Sequence, residues 1–342
     1  MMKAVIVHGP KDLRVEDIPR PEPGEGEVLV AMEWGGICGS DLAYWQTGVS
    51  GTAVLREPLV LGHEVAGRVA QIGPGVSGIE EGIPVTAHPA SFVGDHEMPA
   101  ELEHRTNLWP EVRYFGSAAF LPHEQGGFSE YRVVRADQLR VVPENLSTKE
   151  AALAEPFGVA LHAINQAGDV KGKSLLVNGA GPIGLLAVAG LRAKGAAHVT
   201  VADLQETPLK IAKALGADEL VNILRGDELP QDVEISIEAS GAAAALGGIL
   251  NATRRGGTVV QVGNLPGNEV SAVLGALVTR EIHYVGAYRF VNEMADALEL
   301  MAAGLDVSPV MTHEFPIDDA VAAFETAADH STGSAKVMLK LG

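Results

Sequence analysis

The segment Ser174-Leu175-Leu176-Val177-Asn178-Gly179-Ala180-Gly181-Pro182-Ile183-Gly184 constrains the fold more than any other part of the sequence. An apolar strand runs directly into a glycine-rich turn, and residues 185–194 continue as an apolar helix. In such a turn Gly179 permits the tight reversal and Gly181 lets the backbone approach a pyrophosphate. Gly184 lets helix and strand pack closely, and the helix N-terminus adds positive potential. A second strand, residues 198–202, ends on Asp203, 19 residues beyond Gly184. An acid there accepts hydrogen bonds from an adenine-ribose diol and repels a 2′-phosphate, and neither Leu204 nor Gln205 supplies an offsetting cation. NAD is therefore expected in preference to NADP. The plainer reading, a surface acid after an ordinary glycine turn, leaves the strand–turn–helix context unexplained.

The alternation continues through apolar runs at 233–237, 258–262 and 282–285, which predicts a parallel, doubly wound sheet. Upstream, Ser147-Thr148-Lys149-Glu150 forms a capping box, and an Ala-rich helix is expected from it to about Ala167. Residues 1 to about 146 read differently, as short strands between Gly/Pro turns, with residues 28–32 and 64–72 as examples. This predicts a compact β-barrel-like domain with long loops. The stretch 88–125 is irregular; its histidines 88, 96, 104 and 123 are expected to be solvated rather than to bind a second metal. After Ala287 a helix over 293–303, a strand near His313, another helix and a closing strand over 336–341 are expected to complete the first domain. The expected division is 1–148 with 288–342 as one domain and 149–287 as the other.

Length and hydrophobic content (342 residues, 46% apolar) suit two globular domains. Lys+Arg minus Asp+Glu is 25 − 44 = −19, a balance that excludes nucleic acid or an anionic membrane as partner. The single cysteine excludes an intramolecular disulfide and fits a reducing compartment, so a cytoplasmic location is expected. The N-terminal apolar run is too short for a signal peptide, and the apolar residues 174–191 are broken by glycines and Pro182.

That single cysteine, Cys38, lies in Gly35-Gly36-Ile37-Cys38-Gly39-Ser40-Asp41, and Leu61-Gly62-His63-Glu64 follows. Thiolate, imidazole and carboxylate form a plausible zinc set with one position left open, able to polarise an alcohol oxygen. Each residue alone reads more simply as a small buried hydrophobe, a core histidine or a solvated acid. Together, on glycine-bearing loops beside a nicotinamide fold, they favour metal. Ser40 could take the proton leaving a substrate hydroxyl, or simply stabilise a turn. Glu155, before Pro156, is an acid within an apolar helix, where burial is costly without a metal, a metal-bound water or another partner.

These stretches, with Ala-Glu-Pro at 154–156, resemble the zinc-dependent medium-chain dehydrogenases, specifically their polyol (sorbitol dehydrogenase-like) branch. Within that branch the chain is most similar to the L-idonate 5-dehydrogenase group, through residues 113–117, Pro122-His123, 126–128 and Tyr288-Arg289-Phe290. The resemblance implies an α/β protein with a GroES-like catalytic domain and a Rossmann domain. It places zinc on Cys38, His63 and Glu64 with Glu155 near the fourth position, and proton relay on Ser40. It puts Tyr44 and Arg289 beside the substrate, Gly263 and Asn264 near the nicotinamide, and subunit contacts of a homodimer or homotetramer along 281–287. Arg113 joins Arg289 as a candidate cation for a substrate carboxylate. The expected substrate is a small sugar acid or polyol.

Two departures stand out. The family's structural zinc uses four cysteines, but Val93, His96, Pro99 and Trp109 stand near those positions, so no structural zinc is expected. Ala43 stands where relatives commonly carry a histidine, so the proton must leave by another route. Sorbitol, xylitol or threonine-type oxidation is the alternative within enzymes. A non-catalytic NAD-binding protein and a zinc-free quinone or enone reductase are disfavoured by the complete ligand set.

Overall fold

The computed structural model describes residues 1–342. The chain divides into two compact units, Met1–Glu155 with Met311–Gly342, and Pro156–Val310.

In the first unit the central strand is Glu27–Gly36, whose Val28, Leu29 and Val30 are all buried. It pairs antiparallel with Glu64–Ile72, Tyr131–Arg135 and Lys336–Lys340, within a seven-stranded sheet. A smaller sheet of Asp12–Ile18, Met2–Gly9 and Leu59–Val60 belongs to the same unit, and Val5, Val7, Leu61, Phe128 and Phe324 share one core cluster. Met311–Pro316 and Lys336–Lys340 run parallel, with helix Ala320–Ala328 between them in sequence, as a parallel pair requires a crossover. The register sets Gly36 opposite Glu64 on one side and Met338 on the other. Three neighbouring strands thus end where the zinc motif lies.

The second unit contains a six-stranded parallel sheet: β1 Ser174–Asn178, β2 His198–Asp203, β3 Glu219–Asn222, β4 Val233–Glu238, β5 Thr253–Gln261 and β6 His283–Gly286. Their order is β3-β2-β1-β4-β5-β6, the Rossmann arrangement, with its reversal between β1 and β4. Leu175 to Val177 and Val199 to Ala202 are buried, as strands covered on both faces require. The apolar run from Ser174 resolves into β1, a turn and helix Pro182–Ala193. Pro182 at the first helical position costs nothing, because its missing N–H would be unpaired there anyway. No helix is long and apolar enough to cross a membrane.

Four features differ from the sequence expectations. The helix starting at Ser147 is two pieces, Thr148–Ala151 and Ala154–Gln166, so Glu155 sits in a first turn instead of interrupting a helix. Pro156 explains the restart, since proline is tolerated only near a helix N-terminus. Strand β3 was not distinguished, being four residues with only two apolar side chains. Residues 288–310 fall in the second unit, not with the first: His162 and Asn165 bond Glu293, and Gly158 packs against the backbone of Met294. Finally, His88 and His123 are buried, not solvated. His123 uses both ring nitrogens, Nε2 accepting from the Arg56 amide at 2.9 Å and Nδ1 contacting the Phe120 carbonyl at 2.8 Å.

Candidate metal and dinucleotide sites

Cys38 is the N-cap of helix Gly39–Thr47, and His63 and Glu64 lie at the start of the facing strand. One ligand atom from each of the three falls within 4.8 Å of the others. Ligands at zinc bond lengths sit about 3.5 Å apart around a tetrahedron, so a modest contraction closes the set. Glu64 is 1% exposed; its Oε1 accepts from Lys336 Nζ at 2.7 Å, while Oε2 is buried without a hydrogen bond. An unpaired buried carboxylate oxygen is costly unless a cation completes it. That orphan atom beside a thiol and an imidazole fits a zinc ion.

The glycines have a local reason. A Cβ on Gly36 would lie 2.3 Å from Glu64 Oε2, and one on Gly35 would lie 2.6 Å from the Phe128 ring. Asp41, fully buried, joins the two ligand loops: its carboxylate accepts from the Cys38 amide at 2.9 Å and the Gly62 amide at 3.1 Å. Burial pushes its pKa up, against the pull of His63 and those two amides. Burial lowers the His63 pKa, but the Cys38 sulfur and Asp41 more than offset this and hold it at about 10. Burial likewise raises Glu155, with His63 opposing. Glu155 is buried, and its Oε1 accepts from Tyr114 Oη at 2.5 Å. Tyr114 also meets the His63 ring edge-on at 5.6 Å, which links Glu155 to the cluster.

The remaining first-unit residues fall in different settings. Ser40 is half-buried at the start of its helix, with no hydrogen bond to its hydroxyl from the rest of the chain. Tyr44 is buried in the core cluster and its hydroxyl accepts from the Ala118 amide at 3.0 Å. Arg113 is committed locally, donating to the Pro122 carbonyl at 2.9 Å and contacting Leu121 and Glu111 at 3.4 Å. Near the positions of the family's cysteines, Phe92 and Trp109 pack against Ala90, Val112 and Tyr114. Lys336, Asp41 and Tyr114 were missed as site residues. None left a distinguishing sequence signal: Lys336 is the first residue of a closing strand that ends on a second lysine, Lys340.

In the second unit Gly179 has φ +95°, and a Cβ on Gly184 would lie 1.9 Å from the Gly179 carbonyl oxygen. Nothing stands within 4 Å of a Cβ position on Gly181, which caps helix Pro182–Ala193 and leaves an open approach to its N-terminus. Ile183 lies in that first turn. Asp203, ending β2, accepts from the Ala180 amide at 2.7 Å and the Gln205 amide at 2.8 Å, and Leu204 beside it is exposed. Gly263 and Asn264 follow β5. Arg289 has φ +51° and its guanidinium lies 4.9 Å from the Tyr288 ring centre.

A clustered thiol, imidazole and carboxylate in one unit and a dinucleotide turn in the other are the two requirements of a zinc-dependent, NAD(P)-linked alcohol dehydrogenase. The alcohol dehydrogenase GroES-like domain family matches residues 24–144, and the zinc-binding dehydrogenase family matches 182–303. The chain belongs to this medium-chain zinc dehydrogenase family and to its polyol branch. It is 37% identical to sorbitol dehydrogenase of Bos taurus, over 95% of this chain and 92% of that one. The solved L-idonate 5-dehydrogenase of Escherichia coli K-12 is 35% identical with a TM-score of 0.92, covering 99% of this chain and 98% of that one. A zinc-binding dehydrogenase of Sinorhizobium meliloti 1021, solved bound to NADP, is 30% identical with a TM-score of 0.89, covering 99% of each chain.

Proposed function

We propose that this enzyme oxidises a secondary hydroxyl of a sugar acid or polyol, with L-idonate as substrate and NAD as preferred cofactor. The likeness to the L-idonate 5-dehydrogenase structure carries the substrate assignment, and Asp203 at the end of β2 carries the cofactor preference. Cys38, His63 and Glu64 hold the zinc, with Glu155 nearby through Tyr114. When bound, zinc supplies Lewis acidity that makes an alcohol oxygen easier to deprotonate.

The chain's own groups do the rest. Ser40 Oγ, free of other bonds, accepts the hydroxyl proton and passes it outward, and Ala43 leaves the onward route to cofactor hydroxyls or water. When bound, NAD would supply the hydride acceptor, taking up the two electrons that the alcohol loses on becoming a ketone. For L-idonate the product is 5-ketogluconate. Gly181 and the helix behind it would receive the pyrophosphate, with Gly263 and Asn264 after β5 as candidates for the nicotinamide end. Arg289, by the family resemblance, and Arg113 are the candidates for the substrate carboxylate.

β6 is an edge strand, and Tyr284 on it and Val278 just before it are exposed, so a second copy pairing along 281–287 is the proposed subunit contact. Assaying a panel of polyols and aldonates with NAD and NADP tests the assignment. L-idonate with NAD should give the highest kcat/KM. Turnover of sorbitol but not L-idonate would replace the substrate assignment and leave the class intact.

A further inference from the structure

Glu238, the last residue of β4, is fully buried and forms no ion pair. Its Oε1 accepts from Asn178 Nδ2 at 3.0 Å, from the Ser240 amide at 2.9 Å and from Ser240 Oγ. Its Oε2 accepts from Gln261 Nε2 at 2.5 Å and the Gly241 amide at 3.1 Å. Gln261 extends the network, donating to the Gly263 carbonyl at 2.6 Å and accepting from Tyr284 Oη at 2.7 Å. One carboxylate thus anchors a side-chain ladder across the carboxyl ends of β1, β4 and β5, reaching Tyr284 on β6.

The ladder lies where the strand order reverses. β1 and β4 are neighbours that send their chains to opposite sides, and the crevice opened there is where α/β sheets receive ligands. The Asn178–Glu238 bond spans those two strands directly. The loops beyond them are stacked backbone on backbone. A Cβ on Gly179 would lie 2.7 Å from the Ser240 nitrogen, one on Gly263 would lie 2.3 Å from the Gly241 nitrogen, and one on Gly241 would lie 2.4 Å from the Asn264 oxygen. Packing this close leaves no side chain to set the loop spacing. The hydrogen bonds to Glu238 set it instead.

We propose that Glu238 is a positioning residue for the dinucleotide, fixing the 239–241 and 262–264 loops against the Gly179 turn so that the crevice has the width the cofactor needs. The proposal rests on the dinucleotide reading of that turn. Its prediction is selective: loosening the ladder weakens cofactor binding and leaves the metal cluster, which lies in the other unit, unchanged.

Glu238→Gln keeps the shape but turns one accepting oxygen into an N–H donor facing other donors. NADH binding followed by its fluorescence should weaken about tenfold or more, the penalty for unpaired buried polar groups. KM for NAD should rise with it, while zinc content and KM for the alcohol at saturating NAD stay within about twofold. Glu238→Asp, which keeps the acceptor, should recover part of the loss. If Glu238→Gln does not fold, Ser240→Ala and Gln261→Met, which loosen opposite oxygens, serve in its place and should each weaken NADH binding several-fold. Unchanged NADH affinity in folded Glu238→Gln, or in both substitutes, would overturn the proposal. Equal loss across cofactor, alcohol and zinc would reduce Glu238 to a purely structural role. Failure of the unaltered protein to bind NADH would instead remove the dinucleotide reading.

Discussion

Lys336 donates to Glu64 Oε1 at 2.7 Å from a strand 272 residues further along the chain, and both side chains are almost wholly buried. Lys336 Nζ also donates to the Ile37 carbonyl at 3.0 Å, one residue before Cys38. Burial lowers the Lys336 pKa, and the Glu64 carboxylate more than compensates. The lysine therefore holds one carboxylate oxygen and leaves the other without a hydrogen bond.

This arrangement gives Lys336→Met a metal-dependent cost. Without zinc, Glu64 becomes a buried unpaired charge, a loss of about 3 kcal/mol or more. With zinc bound, the ion still balances that charge. Thermal unfolding should therefore show a larger drop in Tm for chelator-treated than for zinc-loaded variant. Equal drops would show that Lys336 and the metal do not share Glu64.

Gly36→Ala places a methyl group 2.3 Å from Glu64 Oε2 and 3.1 Å from Lys336 Cδ. Backbone on a central strand cannot yield freely, so the carboxylate must turn away. Zinc affinity by chelator competition should fall about 10–100-fold, the usual effect of disturbing a ligand's support. Retention of wild-type affinity would place Glu64 outside the coordination sphere.

The candidate metal cluster was legible as a set of residues and not as an assembly. Cys38, His63 and Glu64 could be picked out because their types and glycine neighbours are unusual together. Asp41, which ties their loops, is an unremarkable acid until Gly62 is folded against it. Lys336 pairs with Glu64 across almost the whole chain, a distance over which sequence pattern carries no information. The Gly179 turn was readable because strand, turn and helix are contiguous. Glu238 was not, since its partners come from β1, β5 and the loop after β4. Arg113 donates to carbonyls of its own loop, a local engagement that its residue type did not reveal.

Glu293 gives a prediction for acid stability. Burial pushes its pKa up, but bonds from His162 and from the Val291 and Asn292 amides prevail and hold it at about 2, against an ordinary 4.5. A depressed folded value means stability present above 4.5 and lost as pH falls toward about 2. Glu293→Gln should be less stable at neutral pH and converge on the wild type in acid. Parallel denaturation curves with a constant gap at all pH values would contradict this.

Asp203→Asn removes the charge that repels a 2′-phosphate and keeps an acceptor for the ribose. The ratio of kcat/KM for NAD over NADP should fall about tenfold, the scale of one charge-assisted bond. An unchanged ratio would move cofactor discrimination to other residues.

Metal content tests the central claim most directly, by elemental analysis of the purified protein and of Cys38→Ser. The account predicts close to one zinc per chain in the wild type and a substantial loss in the variant. No zinc in the wild type, two per chain, or full retention without the Cys38 thiol would contradict it.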